Sequence, residues 1–223
     1  MKHAVIYDCD GVLVDSELVS CTAGMEALNA NGIKTDLPEV QTMIGKSYKE
    51  MMEYYTRREG RVLNIPADFE QQVEERYFML ADRLQPMPGV IPLLERLNEM
   101  KVPLVVASSG GYRKIRFSME KTGLAKYFNT VCSAVDVSKG KPEPDLFLYA
   151  AAKLGYQPAD CLVVEDSLYG VKAAKRAGMI AVAYPSSFSR DRLLEAGADC
   201  VIPAFDDFFA ELAKLQLTLA DLG

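Results

Sequence analysis

Five short apolar runs are spaced along the chain, at residues 4–7, 104–107, 131–132, 161–164 and 180–183. Each reads as a continuous run rather than an alternation, which is the pattern of a strand covered on both faces. Helical patterns separate most of them. Residues 90–100 carry apolar side chains at helical spacing after Pro88-Gly89. Residues 147–154 continue a helix that starts at Pro144-Asp145 and stops at Gly155, and residues 171–177 stop at Gly178. A glycine just past an apolar periodic segment is a usual helix end. Strands alternating with helices predict an α/β protein with parallel strands and right-handed crossovers.

One segment departs from the alternation. Between residues 16 and 83 there is no convincing strand. Leu18, Cys21, Met25 and Leu28 recur at helical steps up to Asn31-Gly32. Ser47-Tyr48-Lys49-Glu50 has the pattern of a capping box ahead of Met51, Met52, Tyr54 and Tyr55. Phe69, Val73, Tyr77, Leu80 and Leu84 form a further apolar stripe. The pattern predicts a helical bundle, residues 16–83, inserted into a core made of residues 1–15 and 84–223. Arg57, Arg58 and Arg61 fall near the end of one of its helices, where they complement the helix dipole.

Composition narrows the function classes. With 223 residues and 49% hydrophobic content the chain can fill a sizeable core. Lys+Arg 25 against Asp+Glu 31 leaves a net charge of -6 and no basic run, so nucleic acid is not an expected partner. No stretch approaches the ~20 apolar residues of a membrane span, and Met1-Lys2-His3 ahead of a strand is not a signal peptide. The five cysteines are scattered and odd in number, as expected of reduced thiols in a cytoplasmic protein. The single histidine, His3, precedes the first strand, which leaves no partner for a Ser-His or Cys-His nucleophile.

Four places join the end of an apolar run to polar residues. The first is Asp8 and Asp10, two acids after Tyr7 and before Gly11. An Asp carboxylate can act as a nucleophile or a metal ligand, and an Asp before Gly equally well caps a turn. The second is Ser108-Ser109-Gly110-Gly111, where backbone N–H groups ahead of a helix suit an anion; an ordinary βα turn has the same composition. The third is Lys141, stiffened by Pro142 at a helix start, where it can neutralise phosphate, hold a carboxylate ionised or stand in solvent. The fourth is Glu165-Asp166, acids that suit magnesium or a helix cap. Three acids in one crevice repel one another without a cation, so the four places weigh more together than singly.

Taken in order, the Asp8-Cys9-Asp10-Gly11-Val12-Leu13-Val14-Asp15 start, the Ser108 strand end, Lys141-Pro142-Glu143-Pro144-Asp145 and Val163-Val164-Glu165-Asp166-Ser167 resemble the four motifs of the haloacid dehalogenase superfamily. The resemblance covers nearly the whole chain and is nearest to the β-phosphoglucomutase-like phosphatases with an α-helical cap. It implies a Rossmann-like three-layer parallel sheet core, with the inserted helical bundle as cap. It implies that Asp8 attacks phosphorus and that Asp10 protonates the leaving alkoxide and then activates water. It implies that Asp8, the Asp10 backbone carbonyl and Asp166 hold Mg2+ with Glu165 at or near the same shell, and that Ser108, Ser109 and Lys141 bind the phosphoryl oxygens. Lys46 and Lys49 of the cap are candidate contacts to an anionic group on the substrate, or solvated charges. The expected substrate is a small phosphorylated metabolite, a sugar or sugar-acid phosphate, and the expected state is a monomer. A hexose-phosphate mutase is the alternative. The hinge stretch Asp15-Ser16-Glu17-Leu18-Val19-Ser20 has no mutase-type histidine, and Gly45-Lys46-Ser47-Tyr48-Lys49 has no mutase-type arginine, which favours hydrolysis. A non-catalytic phosphometabolite-binding protein is the third reading.

Overall fold

The apolar run after His3 becomes the middle of a sheet. The computed structural model describes residues 3–44, 48–218 and 221–222. In chain order its strands are β1 (Ala4–Tyr7), β2 (Val14–Asp15), β3 (Gln85–Pro86), β4 (Leu104–Ser108), β5 (Val131–Ser133), β6 (Cys161–Glu165), β7 (Ile180–Ala183) and β8 (Cys200–Val201). Its helices are α1 (Glu17–Ala30), α2 (Leu37–Gln41), α3 (Tyr48–Glu59), α4 (Phe69–Met79), α5 (Val90–Glu99), α6 (Tyr112–Lys121), α7 (Asp145–Leu154), α8 (Leu168–Arg176), α9 (Arg190–Glu195) and α10 (Phe208–Lys214).

Six strands form one sheet in the order β5-β4-β1-β6-β7-β8, with every neighbouring pair parallel. From β1 the chain builds outward through β4 and β5, then returns to build β6, β7 and β8 on the other side. The order reverses at β1, and open parallel sheets bind ligands beyond the carboxyl ends of the strands at such a point. All residues of β1, β4 and β6 are buried, which is why they read as unbroken apolar runs. On one face Ile6, Val105 and Val163 pack with Leu146, Phe147 and Val171 of α7 and α8. This is the α/β Rossmann-like architecture. The short antiparallel pair β2–β3 stands apart from the main sheet. All five cysteines are free and buried.

The chain divides into two compact units, Met1–Asp15 with Gln85–Gly223, and Ser16–Leu84. Among the described residues the second unit contains no strand. Its core joins Cys21, Leu28, Ile33, Val40, Tyr55 and Phe69. Of the stripe expected on α1, Cys21 and Leu28 are in that core and Met25 packs against it, while Leu18 is 48% exposed; Val19, Ala23 and Ala27 are buried as well. Arg58 lies in the last turn of α3, as expected, and also makes specific pairs. Its guanidinium pairs with Glu39 at 2.5 Å and with Glu59 at 2.6 Å, donates to the Lys34 carbonyl and lies 4.8 Å from the Tyr55 ring centre. It ties α3 to α2 and to the segment before it. No helix among the described residues is long and apolar enough to cross a membrane.

Candidate active site

Sheet register sets the level at which the acids appear. Tyr7 of β1 is level with Val106 of β4 and Val164 of β6. One residue further, the Asp8 N–H donates to the Val164 carbonyl at 3.0 Å, so Asp8 leaves the sheet where β6 delivers Glu165. Lys141 arrives from the loop ahead of α7. Its ammonium donates to Asp8 Oδ1 at 2.6 Å, to Glu165 Oε1 at 2.5 Å and to the Ala107 carbonyl at 3.5 Å. The three side chains are 6%, 9% and 1% exposed for Lys141, Asp8 and Glu165. The remaining Glu165 oxygen, Oε2, accepts from the Ser167 N–H at 2.7 Å, so both of its oxygens are engaged. Gly170 in the first turn of α8 lies directly over this carboxylate, and a Cβ there would run into it.

Asp166 is buried beside them, and its Oδ2 accepts from Ser186 Oγ at 2.9 Å and Ser187 Oγ at 2.5 Å. Gly11 closes against the same carboxylate. Its φ of +75 suits glycine, and a Cβ at that position would collide with Asp166 Oδ2. The turn that follows Asp8 therefore needs a glycine for two separate reasons.

Ser108 ends β4 fully buried, and its Oγ accepts from the Gly110 N–H at 3.1 Å. Ser109 is exposed. The loop leads straight into α6, whose N-terminal N–H groups favour an anion. A brace behind it fixes its shape: Ser133 Oγ donates to the Gly110 carbonyl at 2.6 Å, and Asp136 Oδ2 accepts from Tyr112 OH at 2.7 Å and from the Ser133 N–H at 3.0 Å. The bond to Asp136 pushes the Tyr112 phenol up to about 12.

Asp10 stands apart from the buried group. Its Oδ2 accepts from Lys114 Nζ of α6 at 2.9 Å, and the two side chains are part-exposed. Of the two lysines singled out in the helical unit, Lys46 lies outside the described residues, and Lys49 is exposed on α3 with its ammonium 3.9 Å from Glu53.

The electrostatics follow from burial. Desolvation pushes the Asp8 carboxyl up to about 7, with Lys141 opposing and Glu165 adding to the rise. Asp166 is raised well above the usual carboxylate range, first by burial and then by Glu165 and Asp8. Burial alone would lower the Lys141 ammonium, and its pairing with Asp8 and Glu165 reverses this and raises it. Cys9 is raised by burial and by both flanking aspartates, which keeps its thiol protonated and inert. Lys141 thus pairs with two of the three buried carboxylates, while the third, Asp166, is met by the hydroxyls of Ser186 and Ser187, and the group holds more acids than ammonium.

The structure gathers Asp8, Ser108, Lys141, Glu165 and Asp166 at the carboxyl ends of β1, β4 and β6. Lys114, Ser186, Ser187, Tyr112 and Asp136 join the arrangement without having been singled out in the sequence. Ser186-Ser187 had a usable signal, since they follow the apolar run of β7. Lys114 had none, because a lysine in the first turn of a helix reads as a solvated charge.

The family model for haloacid dehalogenase-like hydrolases matches residues 5–184. The chain is 31% identical over 216 residues to the beta-phosphoglucomutase of Bacillus subtilis, covering 94% of this chain and 92% of that protein. It is 30% identical over 215 residues to the phosphorylated carbohydrates phosphatase of Thermotoga maritima, covering 90% and 94% respectively. Among solved structures, a HAD family hydrolase from Deinococcus radiodurans with bound phosphate and sodium matches with a TM-score of 0.79 at 27% identity, covering 99% of this chain and 97% of that one. The strand order, the motif spacing and these matches agree: the chain belongs to the haloacid dehalogenase-like hydrolases, and it is a phosphatase of that family, a phosphoric monoester hydrolase.

Proposed function

We propose that this protein hydrolyses a small phosphorylated metabolite, a sugar or sugar-acid phosphate, through an aspartyl-phosphate on Asp8 with magnesium as cofactor. The observation that carries the reading is the meeting of Asp8, Lys141, Glu165 and Asp166 where the sheet order reverses. The phosphatase and mutase relatives, named for phosphorylated carbohydrates and for phosphoglucose, support the substrate class.

Asp8 attacks phosphorus, and the ester bond breaks as Asp10 gives its proton to the leaving oxygen. Water then attacks the aspartyl-phosphate, Asp10 takes the water's proton, and the bond from Asp8 to phosphorus breaks to release phosphate. Lys141 and Ser108, with the neighbouring Ser109 loop, neutralise and orient the phosphoryl oxygens. That task dominates phosphoryl transfer, where alignment and charge neutralisation supply most of the acceleration.

The residues fit a divalent cation. Among the described residues, no three His, Cys, Asp or Glu side chains form a ready cage. Magnesium does not need one, since it is usually bound through one or two carboxylates with waters and substrate phosphate. Asp8 and Asp166, with the Asp10 backbone carbonyl, would hold it, and Glu165 stands at the edge of that shell while it anchors Lys141. Bound there, magnesium would offset the excess negative charge and neutralise charge that develops on the phosphoryl oxygens.

The mutase reading rests on the B. subtilis relative. Against it, His3 is tied to the far end of the chain, 3.0 Å from the Asp221 carbonyl, and no other histidine exists to serve a hinge. The test is phosphate release from a panel of sugar and sugar-acid phosphates with magnesium, with chelator, and with Asp8→Asn. Release should require magnesium and vanish in the variant. Conversion of β-glucose 1-phosphate to glucose 6-phosphate faster than phosphate release would replace hydrolysis with the mutase. The helical unit is the proposed cap, with Lys46 and Lys49 as its candidate substrate contacts.

A further inference from the structure

We propose that Lys114 is a positioning residue for Asp10 in the second half of the reaction, the hydrolysis of the phosphoryl-enzyme. The inference rests on the Asp8–Asp10 mechanism proposed above.

Asp8 and Asp10 are two residues apart yet held by different means. Asp8 is locked among buried charges. Asp10 lies past the end of β1 with its side chain 34% exposed, on a turn joined to Val14 by a single bridge. A carboxylate so placed samples several rotamers unless something fixes it. Lys114 reaches it from α6, across 104 residues of sequence. Its stem crosses Gly110, with Cδ 3.7 Å from where a Cβ on that glycine would lie. Its ammonium then meets Asp10 Oδ2 at 2.9 Å. A purely solubilising lysine would extend into water; this one is 23% exposed. One helix thus presents the anion loop at its N-terminus and, within its first turn, the ammonium that holds the acid–base residue.

In the pair Asp10 Oδ2 is the accepting atom and the ammonium the donor, and an aligned accepting oxygen is what the second half-reaction needs. In the first half-reaction Asp10 acts as a donor. In the second, a water oxygen bonds to phosphorus, the Asp8–phosphorus bond breaks with its electron pair returning to the Asp8 carboxylate, and the water's proton goes to Asp10. Fixing Oδ2 fixes the direction from which Asp10 takes that proton, and such alignment contributes to rate. Lys114 therefore acts on this step.

The test is Lys114→Met, which keeps an unbranched stem over Gly110, beside Lys114→Arg. Both are measured on the full chain with magnesium and p-nitrophenyl phosphate, in steady state and by rapid mixing. For Lys114→Met, kcat should fall about tenfold while kcat/KM, which reports formation of the phosphoryl-enzyme, stays within about twofold. A burst of p-nitrophenol equal to the enzyme present should appear, and Lys114→Arg should recover part of kcat. A parallel fall in kcat and kcat/KM would overturn the proposal, because that is the signature of general damage to the site. Unchanged kinetics would overturn it equally. Activity in Asp8→Asn would remove the underlying mechanism, and the proposal with it, by a result independent of Lys114.

Discussion

The two units treat their key carboxylates in opposite ways. In the helical unit, Glu39 accepts from Thr35 Oγ1 at 2.6 Å, from Tyr54 OH at 2.9 Å and from Arg58 at 2.5 Å. The Thr35 bond first, and then the others, hold its carboxyl below the usual range despite partial burial. In the sheet unit, burial pushes Asp8 up to about 7 and raises Asp166 as well, and the neighbouring carboxylates add to both shifts. Glu39 has donors in plenty and serves stability. The sheet-end acids are short of positive charge, and strongly perturbed carboxylates in a crevice are marks of function. A site that is complete by itself holds the fold; a site short of a cation is prepared for something that comes from outside.

The widest separation between the two should be in activity. Asp8→Asn should lower phosphate release by at least ~10³-fold, the scale of losing a nucleophile. Glu39→Gln should leave kcat near that of the wild type. An assay of both with the same phosphorylated sugar checks the division, and a large loss in Glu39→Gln would merge the two roles.

Stability separates them next. Lys141→Met leaves Asp8 and Glu165 buried without their ammonium, and breaking such a group by removing one partner destabilises by roughly 3–5 kcal/mol. The loss depends on pH. The folded-state value of Asp8 lies above its ordinary 3.8, so its contribution to stability is fully present below about pH 3.8 and is lost as pH rises through about 7. The variant should therefore be weaker relative to wild type at pH 8 than at pH 5, where Asp8 takes up a proton. Urea unfolding in chelator at the two pH values measures this, and an equal loss at both would mean that Asp8 does not change its charge between them.

Glu39 should show the reverse sign with a smaller size. Its folded-state value is lowered, so its contribution is present above the ordinary 4.5 and fades as pH falls through the lowered value. Glu39→Gln should destabilise the helical unit by about 1–2 kcal/mol at pH 7, the scale of charge-assisted hydrogen bonds that remain partly solvated. The gap should close as pH falls below that lowered value. Thermal unfolding across that range follows it, and a gap that widens in acid would contradict the Thr35–Glu39–Arg58 assignment.

The contrast also explains what the sequence made legible. The strands β1, β4 and β6 are buried on both faces, so they appear as apolar runs, and the acids at their ends stand out against them. Lys141 was visible because Pro142 beside it marks a stiffened turn. β8 is only Cys200–Val201, and β2 and β3 are two residues each, created by pairing between Val14–Asp15 and Gln85–Pro86. No local pattern announces such a strand, because its partner is distant in sequence. The same limit hid the partner choices. The sequence offered Glu165 as an acid but not its bonds to Lys141 and Ser167, and it offered Arg58 as a helix-end charge but not its pairing with Glu39. Residue types reveal which chemistry is possible, and only the packed chain decides which pairs share it.

The smallest effect concerns a third buried polar group, on β1 itself. The Tyr7 side chain is fully buried and its ring meets Phe128 edge to face at 5.9 Å, but its hydroxyl has no hydrogen-bond partner among the described residues. Burial drives its phenol far upward, so it stays neutral. It lies next to Asp8 in the chain but points to the opposite face of the strand, where neither a donor-rich shell like that of Glu39 nor a crevice like that of Asp8 receives it. An unpaired buried hydroxyl is a cost, and Tyr7→Phe keeps the ring while removing it. The variant should be more stable by about 1 kcal/mol, raising the melting temperature by roughly 2–4 °C for a chain of this size, with kcat unchanged. A drop in melting temperature would mean that the hydroxyl binds a buried water that is part of the structure, and Tyr7 would then belong with Glu39 among the groups whose polar needs are met inside the fold.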